Sequence, residues 1–388
     1  MSEGIPYIKM YNLRNQEIDF DYKSQYIKED VHNGKLQRSR TEVGDLIMNI
    51  VGPPLGKLAL IPKSLPQANF NQAAVLIRPY LHKDIINVYL KAYLGEMSEI
   101  YSISTKGSAG QVNITLTQSQ NMRIPLPPLQ EQIRINKELK IWFASVQQIE
   151  NGREMLNLAI RQTKSKILDL AIHGKLVPQD PNDEPATELL KRINPKAEIT
   201  CDNGHYLKLP EGWCECTLGS LFLFIRNGIN IHQDKSKIGY PITRIETISS
   251  EFIDRSRMGY AAITEDNYSD YYLQKDDILM SHINSPIHVG KCALCDIKAG
   301  EKIIHGMNLL CLRPYPDIEA KFILMVFRSP YFKDEIRPLI KNAVNQASIN
   351  IRNLSSVHLH LPPVSEQHRI VAKIEEIFAQ LDAIEASL

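Results

Sequence analysis

The chain is short of several things that would place it at once. Across 388 residues, Lys and Arg outnumber Asp and Glu by only 45 to 44. No chain-wide field therefore attracts a polyanion, and any nucleic-acid contact has to come from cations gathered locally. Six cysteines in a chain of this length do not make a disulfide framework, and reduced thiols fit the cytoplasm. No run of 18 apolar residues suggests a membrane span, and the opening "MSEGIPYIKMYN" lacks the basic and apolar regions of a signal peptide. The expectation is a cytoplasmic protein.

The marks of an enzyme are also missing. There is no H-E-x-x-H, and no Asn/Asp-Pro-Pro-Tyr/Phe of the kind that grips an extruded adenine for methyl transfer. "GPPLGKL" (Gly52 to Leu58) has one residue too few between its glycines for a phosphate loop, and no Ser or Thr after the Lys. Cys292 and Cys295 form a lone C-x-x-C, while Cys214 and Cys216 are separated by a single residue. Zinc needs four well-spaced ligands, so no metal is expected and Cys292 reads as a buried strand thiol. "EPATELLK" is a weak match to nuclease patterns and lies in a proline-rich connector.

What is present is a repeat. "IPLPPLQEQIRI" (Ile124 to Ile135) returns as "LHLPPVSEQHRI" (Leu359 to Ile370), 235 residues later. "PYIKMYNL" at Pro6 lies on "PITRIETI" at Pro241, "GDLIM" at Gly44 on "DDILM" at Asp276, and "GKLAL" at Gly56 on "GKCAL" at Gly290. "IRPY" at Ile77 lies on "LRPY" at Leu312, and the offset drifts only between 232 and 235. This is a duplicated domain with loop insertions, not a short-period solenoid. Both copies read as mixed α and β, with β-rich runs bounded by Gly and Pro.

After each Pro-Pro pair the period becomes helical. Ile135, Leu139, Trp142, Val146, Ile149, Arg153, Leu156, Ile160, Thr163, Ile167 and Leu170 keep a 4-3-4-3 spacing. Ile370, Ile374, Ile377, Leu381, Ile384 and Leu388 keep it without a polar exception. Such a heptad seam asks for a helical partner, and two in one chain are expected to pair with each other. Charge agrees weakly, net +3 over residues 126–177 against net −3 over 362–388. The alternative is an amphipathic helix packed on its own domain.

These residues resemble the DNA-specificity subunit of type I restriction-modification systems. The carriers are the two Pro-Pro-x-x-Glu-Gln helix openings, "ILDLAIHGKLVPQDPNDEPATELLKRI" and "LPEGWCECTLGSL". The resemblance implies an α+β fold. In it, two similar target recognition domains are separated by two long antiparallel coiled-coil helices in a pseudo-twofold repeat. Residues 1–126 would be the first recognition domain, 127–177 the long spacer helix and 178–209 a connector. Residues 210–361 would be the second recognition domain and 362–388 a second, shorter spacer helix. Trp213 precedes Gly239 by 26 residues whereas the matching Gly4 has three before it, so the opening strand of the first lobe is expected to be missing.

The function implied is non-catalytic recognition of a bipartite sequence in double-stranded DNA. Partner subunits would do the chemistry: adenine methyltransferase subunits, two of them, and an ATP-dependent nuclease-translocase. S-adenosylmethionine, ATP and Mg would sit on those partners, with no cofactor on this chain. A two-lobed tether without DNA readout and a DNA-modifying enzyme are the alternatives.

Candidate DNA contacts follow from side-chain chemistry. Lys57 and Lys291 sit on glycine-containing loops whose amides and ammonium suit phosphate or base edges, with Ser285 opening the second loop. Lys106 and Gln111, and in the second lobe Lys341, Asn345 and Gln346, precede the last strand of each copy. Amide side chains there suit adenine edges. Lys9, Asn12 and Arg14, matched by Arg244 and Glu246, form a third surface. A solvated hairpin or a plain polar turn is the plainer reading of each.

Overall fold

Short apolar runs punctuated by glycine and proline become strands in both halves of the chain. A computed structural model describes residues 3–388 apart from 53–54, 66, 97–112, 201–208, 264–267 and 344–345. Lys106, Gln111 and Asn345 therefore lie outside the described residues. The chain divides into two units, Met1–Asn151 and Gly152–Leu388.

The first unit contains β1 (Ile5–Ile8), β2 (Leu13–Arg14), β3 (Glu17–Ile18), β4 (Tyr26–Ile27), β5 (Leu46–Asn49), β6 (Leu58–Leu60), β7 (Asn69–Phe70) and β8 (Ala74–Ile77). Its helices are α1 (Glu29–Asn33), α2 (Lys83–Glu96), α3 (Leu116–Gln120) and the first half of α4 (Leu129–Ile172). β5 is buried along its whole length between β6 and β8, which is why it reads as a continuous apolar run. Leu46 and Met48 face one core with Leu90, Leu94 and Ile135. Ile47 faces another with Ile8, Ala59 and Phe70, the two-residue alternation of a strand.

In the second unit come α5 (Ala186–Ile193), β9 (Ile199–Thr200), β10 (Cys214–Thr217), β11 (Phe222–Asn227), β12 (Tyr240–Ile242), β13 (Gly259–Ala261), β14 (Ile278–Ser281) and β15 (Ile283–Asn284). β16 (Cys292–Leu294), β17 (Leu309–Pro314), α6 (Ala320–Arg328), α7 (Pro330–Ile336), β18 (Lys341–Ala343), β19 (Gln346–Ser348), α8 (Ile351–Ser355), β20 (His358–Leu361) and α9 (Val364–Ala386) follow. β11-β17-β14-β16 form one sheet, and β20-β10-β9 and β15-β19-β18 form two more. Ser329 divides α6 from α7: its hydroxyl accepts the Phe332 amide at 3.2 Å, and Pro330 opens the new helix.

The duplication holds residue by residue. β5 pairs with β6 as Leu46–Leu60, Ile47–Ala59 and Met48–Leu58. β14 pairs with β16 as Ile278–Leu294, Leu279–Ala293 and Met280–Cys292. The β5–β8 and β14–β17 pairings match in the same way. Cys292 thus occupies the place of Leu58, buried in a strand.

The Pro-Pro-x-x-Glu-Gln openings have a physical reading. Prolines give up their N–H donors but keep their carbonyls. The Gln132 side chain donates back to the Pro127 carbonyl at 2.8 Å, and Gln367 does the same to Pro362 at 2.9 Å. The second carbonyls, of Pro128 and Pro363, accept the backbone amides of the same glutamines at 3.1 and 2.9 Å. Both glutamines are buried, so each phrase is a rigid elbow from chain to helix.

α4 runs 44 residues, roughly 66 Å at 1.5 Å per residue. Within the second unit its last turns and α9 run antiparallel. Lys164 pairs with Asp382 and Glu385 near the end of α9, whereas Gln179, beyond α4, bonds Glu366 near its start. The expected seam is realised only here. Ile160, Ile167, Ile370 and Ile374 are buried, and Leu170, Ile377 and Leu381 are half-buried. Trp142, Val146, Ile149, Leu156, Ile384 and Leu388 are exposed, and Ile135 and the half-buried Leu139 lie with the first unit, Ile135 against its core. The reason is length: α9 has 23 residues against 44, and its C-terminal end lies opposite Lys164.

Candidate nucleic-acid interface

Each unit closes the loop after its central strand with the same pair of backbone hydrogen bonds. In the first unit the Asn49 amide donates to the Lys57 carbonyl at 2.9 Å and the Gly56 amide to the Asn49 carbonyl at 3.2 Å. In the second, Ser281 donates to Lys291 at 2.8 Å and Gly290 to Ser281 at 2.8 Å. Gly56 and Gly290 take φ of +75° and +83°, left-handed conformations that side chains with a Cβ disfavour. A Cβ on Gly290 would also approach Ile336 Cδ1 to 2.6 Å. The glycine thus fixes where the lysine that follows it leaves the strand. Lys57 is half-buried and Lys291 exposed.

Around Lys57 the structure gathers more than the sequence reading named. Asn15 and Gln16 turn the β2–β3 hairpin with φ of +49° and +60°, the backbone handedness favoured in two-residue hairpins. Gln16 Oε1 accepts the Leu58 amide at 2.9 Å, tying this hairpin to the Lys57 strand. Arg14 lies 4.3 Å from the centre of the exposed Tyr22 ring and Lys23 5.2 Å from it. An exposed ring flanked by two cations suits stacking and phosphate contact together. Tyr22 and Lys23 were missed because their relation to Arg14 depends on the turn between them.

Asn12 is a correction. It is buried, its Oδ1 accepts the Lys9 amide at 2.9 Å, and its Nδ2 donates to the carbonyls of Asp19 and Tyr22 at 3.0 and 2.8 Å. Its amide is spent on holding the loop and is removed from the contact surface. The twin turn in the second unit uses Thr247 in the same way, accepting the Arg244 amide at 3.3 Å. Arg244 is partly occupied by Glu246 at 3.5 Å.

In the second unit, β15 pairs with β19 and β19 with β18. Asn284 lies opposite Ala347, so Gln346 and Lys341 share one small sheet and are exposed, with Ser285 just past the end of β15. Lys291 lies elsewhere on the same loop, on a cleft of about 790 Å³ that also takes in His288, Arg328, Lys333 and Arg337 against Glu251. Arg328 is turned partly inward, donating to the Ser250 carbonyl at 2.9 Å, and Arg337 pairs with Asp334 at 3.0 Å. Lys291 makes no ion pair among the described residues. Arg328 and Lys333 come from helices α6 and α7, a convergence that loop motifs do not signal.

Two ion pairs, each on a buried aspartate, hold these sheets. Arg78 grips Asp45 at 2.9 and 2.5 Å, and Arg313 grips Asp277 at 2.7 and 2.7 Å. Both join the strand before the loop to the returning strand. Among the described residues there is no cluster of groups that could hold a metal. Cys214, Cys216, Cys292, Cys295 and Cys311 are buried free thiols, and burial pushes Cys216 up to about 12 and Cys292 to about 11. Inert thiols are what such shifts describe. No described helix is long and apolar enough to cross a membrane.

Residues 1–155 and 210–388 match the family model of the type I restriction modification DNA specificity domain. The chain is 44% identical over 176 residues to a putative type I restriction enzyme MjaX specificity subunit of Methanocaldococcus jannaschii, covering 45% of this chain and 41% of that one. It is 25% identical over 283 residues to the type I restriction enzyme EcoKI specificity subunit of Escherichia coli, covering 73% and 56%. The chain thus spans about half the length of these curated relatives. Two solved structures share its fold at 19% identity. One, from work on complex assembly and conformational transition of the type I R-M system, has a TM-score of 0.64 and covers 99% of this chain and 86% of that one. The other, the HsdS subunit from Thermoanaerobacter tengcongensis, has a TM-score of 0.55, covering 99% and 85%.

Proposed function

Because the chain belongs to the type I restriction modification DNA specificity family, we propose that it is the DNA-reading, non-catalytic subunit of a restriction-modification complex. Each unit reads one half of a bipartite target in double-stranded DNA. The observation that carries this reading is the pair of twin loops, which present Lys57 and Lys291 from the same glycine turn with the same hydrogen bonds. Lysines placed in that way position a protein on phosphate, and neighbouring amides and hydroxyls read base edges. Arg14, Lys9, Arg244 and Lys341 belong to the phosphate-directed group, and Ser285 and Gln346 to the reading group.

The domain plan proposed is the one legible in the sequence: recognition within residues 1–126 and 210–361, spacing by 127–177 and 362–388, and a connector at 178–209. The exposed apolar stripe of α4, Trp142, Val146 and Ile149, is suited to helices of partner subunits. Those partners are adenine methyltransferase subunits, two per complex, with S-adenosylmethionine, and an ATP- and Mg-dependent nuclease-translocase. The complex works in the cytoplasm.

The test is DNA binding by the assembled complex as a function of salt. Replacing Lys57 or Lys291 by Ala is expected to lower the salt slope of log affinity by about one unit each, nearly independent of sequence. Unchanged slope and affinity for both substitutions would show that these loops do not touch DNA.

A further inference from the structure

At one end of the second unit's four-stranded sheet the strands stop in a row. Ser281, the last residue of β14, lies opposite Leu309, and its amide donates to the Lys291 carbonyl at 2.8 Å. Across β17, Asn227 ends β11 opposite Leu310, and the Gly228 amide donates to the Leu309 carbonyl at 3.3 Å. From Lys291 to β11 is three strand spacings, about 14 Å at ~4.8 Å each. The DNA major groove is about 12 Å wide, so both edges of this row can reach into one groove.

Arg226 stands in β11 opposite Cys311, one pair in from this end, and is half-buried. Its Cζ lies over the Phe224 ring, 4.2 Å from the centre, and 5.5 Å from the centre of Tyr271. A second arginine, Arg313, lies 4.8 Å from the same Phe224 ring, but it donates twice to Asp277, at 2.7 and 2.7 Å. The Arg226 side chain makes no hydrogen bond or ion pair among the described residues, and its Nε is buried.

Its neighbours do not neutralise it. His282 Nδ1 and His305 Nδ1 are buried and also have no partner among the described residues. Burial pushes His305 down to about 4, and Arg226 and His282 act in the same direction. Burial lowers His282 as well. Both rings are neutral at pH 7, so a single positive charge stands here with no carboxylate paired to it among the described residues.

The shape of a guanidinium decides what fits it. Stacking on an aromatic face fixes the plane of the fork, and a fixed fork meets two acceptors side by side. Guanine presents such a pair, O6 and N7, in the major groove. Phosphate oxygens are served by exposed cations such as Lys291. A donor already withdrawn from water behaves differently. A base with the acceptor pair completes its bonds, and a base without it leaves them unmade. That difference is discrimination.

We propose that Arg226 is a specificity-determining residue of the second unit, its guanidinium donating to O6 and N7 of one guanine in the half-site that this unit reads. This rests on the proposed DNA-reading function and adds to it the identity of one base.

The test uses the assembled complex and duplex DNA carrying its methylated target, with each guanine replaced in turn by 7-deazaguanine, which lacks the N7 acceptor. At one guanine, in one half-site only, the replacement is expected to weaken binding by the wild-type complex roughly tenfold. Arg226→Met keeps an apolar stem on Phe224; with it the same replacement should change binding by less than about twofold, a coupling that a merely structural role does not produce. Arg226→Lys keeps the charge without the fork and should behave like Arg226→Met. The salt slope should be the same for all three. Thermal melts check that both variants fold. A slope lowered by about one unit with equal loss on every sequence would make Arg226 a phosphate contact and overturn the proposal. Equal sensitivity to 7-deazaguanine in wild type and variants, or no guanine that shows it, would overturn it too. A wild-type complex that bound no DNA would instead remove the DNA-reading function itself, and this proposal with it.

Discussion

Asp45 and Asp277 show how much a single carboxylate can fix. Burial works against the charge of Asp45, but the Arg78 hydrogen bonds, the Glu42 amide and Lys83 outweigh it and hold the carboxyl below its ordinary value. The stability it contributes is present at neutral pH and is lost as pH falls through that lowered pKa. Replacing either aspartate by asparagine strands a guanidinium. Arg78 is 36% exposed and Arg313 17%, so water can recover the first more readily. Asp277→Asn is therefore expected to cost about 3–5 kcal/mol and Asp45→Asn about 2 kcal/mol in urea unfolding. Equal losses below about 1 kcal/mol would mean that these pairs do not hold the sheets. His305 works the other way. Burial pushes it down to about 4 from 6.5. Its Nε2 lies 2.9 Å from the Leu309 carbonyl, and its buried Nδ1 has no partner among the described residues. The unfolded chain takes up this proton between pH 6.5 and 4 and the folded chain does not. The second unit should lose on the order of 3 kcal/mol as pH falls across that window. Thermal melts of His305→Gln should show a flatter pH dependence; an unchanged profile would remove His305 from the account. None of these ties could be read from the sequence, because Asp45 and Arg78, or Asp277 and Arg313, meet only after two strands have paired. "GDLIM" and "IRPY" were legible as repeated words, not as one ion pair.

At the scale of elements, the heptad pattern was legible and its coverage was not. A 4-3-4-3 apolar spacing says that one face of a helix is hydrophobic; it does not say over which turns a partner lies. That depends on the relative lengths and register of the helices: the last turns of α4 and the first turns of α9 join the second unit's core, burying Ile167, Ile370 and Ile374, while Ile149 and Ile384 stay exposed. Ile374→Asp is expected to cost several kcal/mol, because the new carboxylate has no water and no partner. Ile384→Asp, on the same face but exposed, should cost less than about 1 kcal/mol. Equal effects would mean that the α4–α9 contact is misassigned. Strands were read more faithfully than helix partners. β5 and β14 are buried on both faces, so their apolar runs are unbroken, and the Gly-Lys that follows marks the return strand in both copies.

For the molecule as a whole, the duplication makes the functional claim specific: two units sharing a three-strand sheet core, an ion pair and a lysine after a glycine turn, and one long helix whose middle turns are exposed. Residues 141–151 are exposed throughout, so a seven-residue insertion after Ile149 leaves the packed turns on either side undisturbed. Seven residues preserve the heptad and lengthen the helix by roughly 10 Å, the axial rise of about three base pairs. The decisive measurement is sequencing of the DNA sites methylated by the complex assembled with this insertion variant. Both half-sequences should be unchanged while the gap between them grows by about three base pairs. A changed half-sequence with an unchanged gap would contradict the assignment of reading to the two units and measuring to the helix.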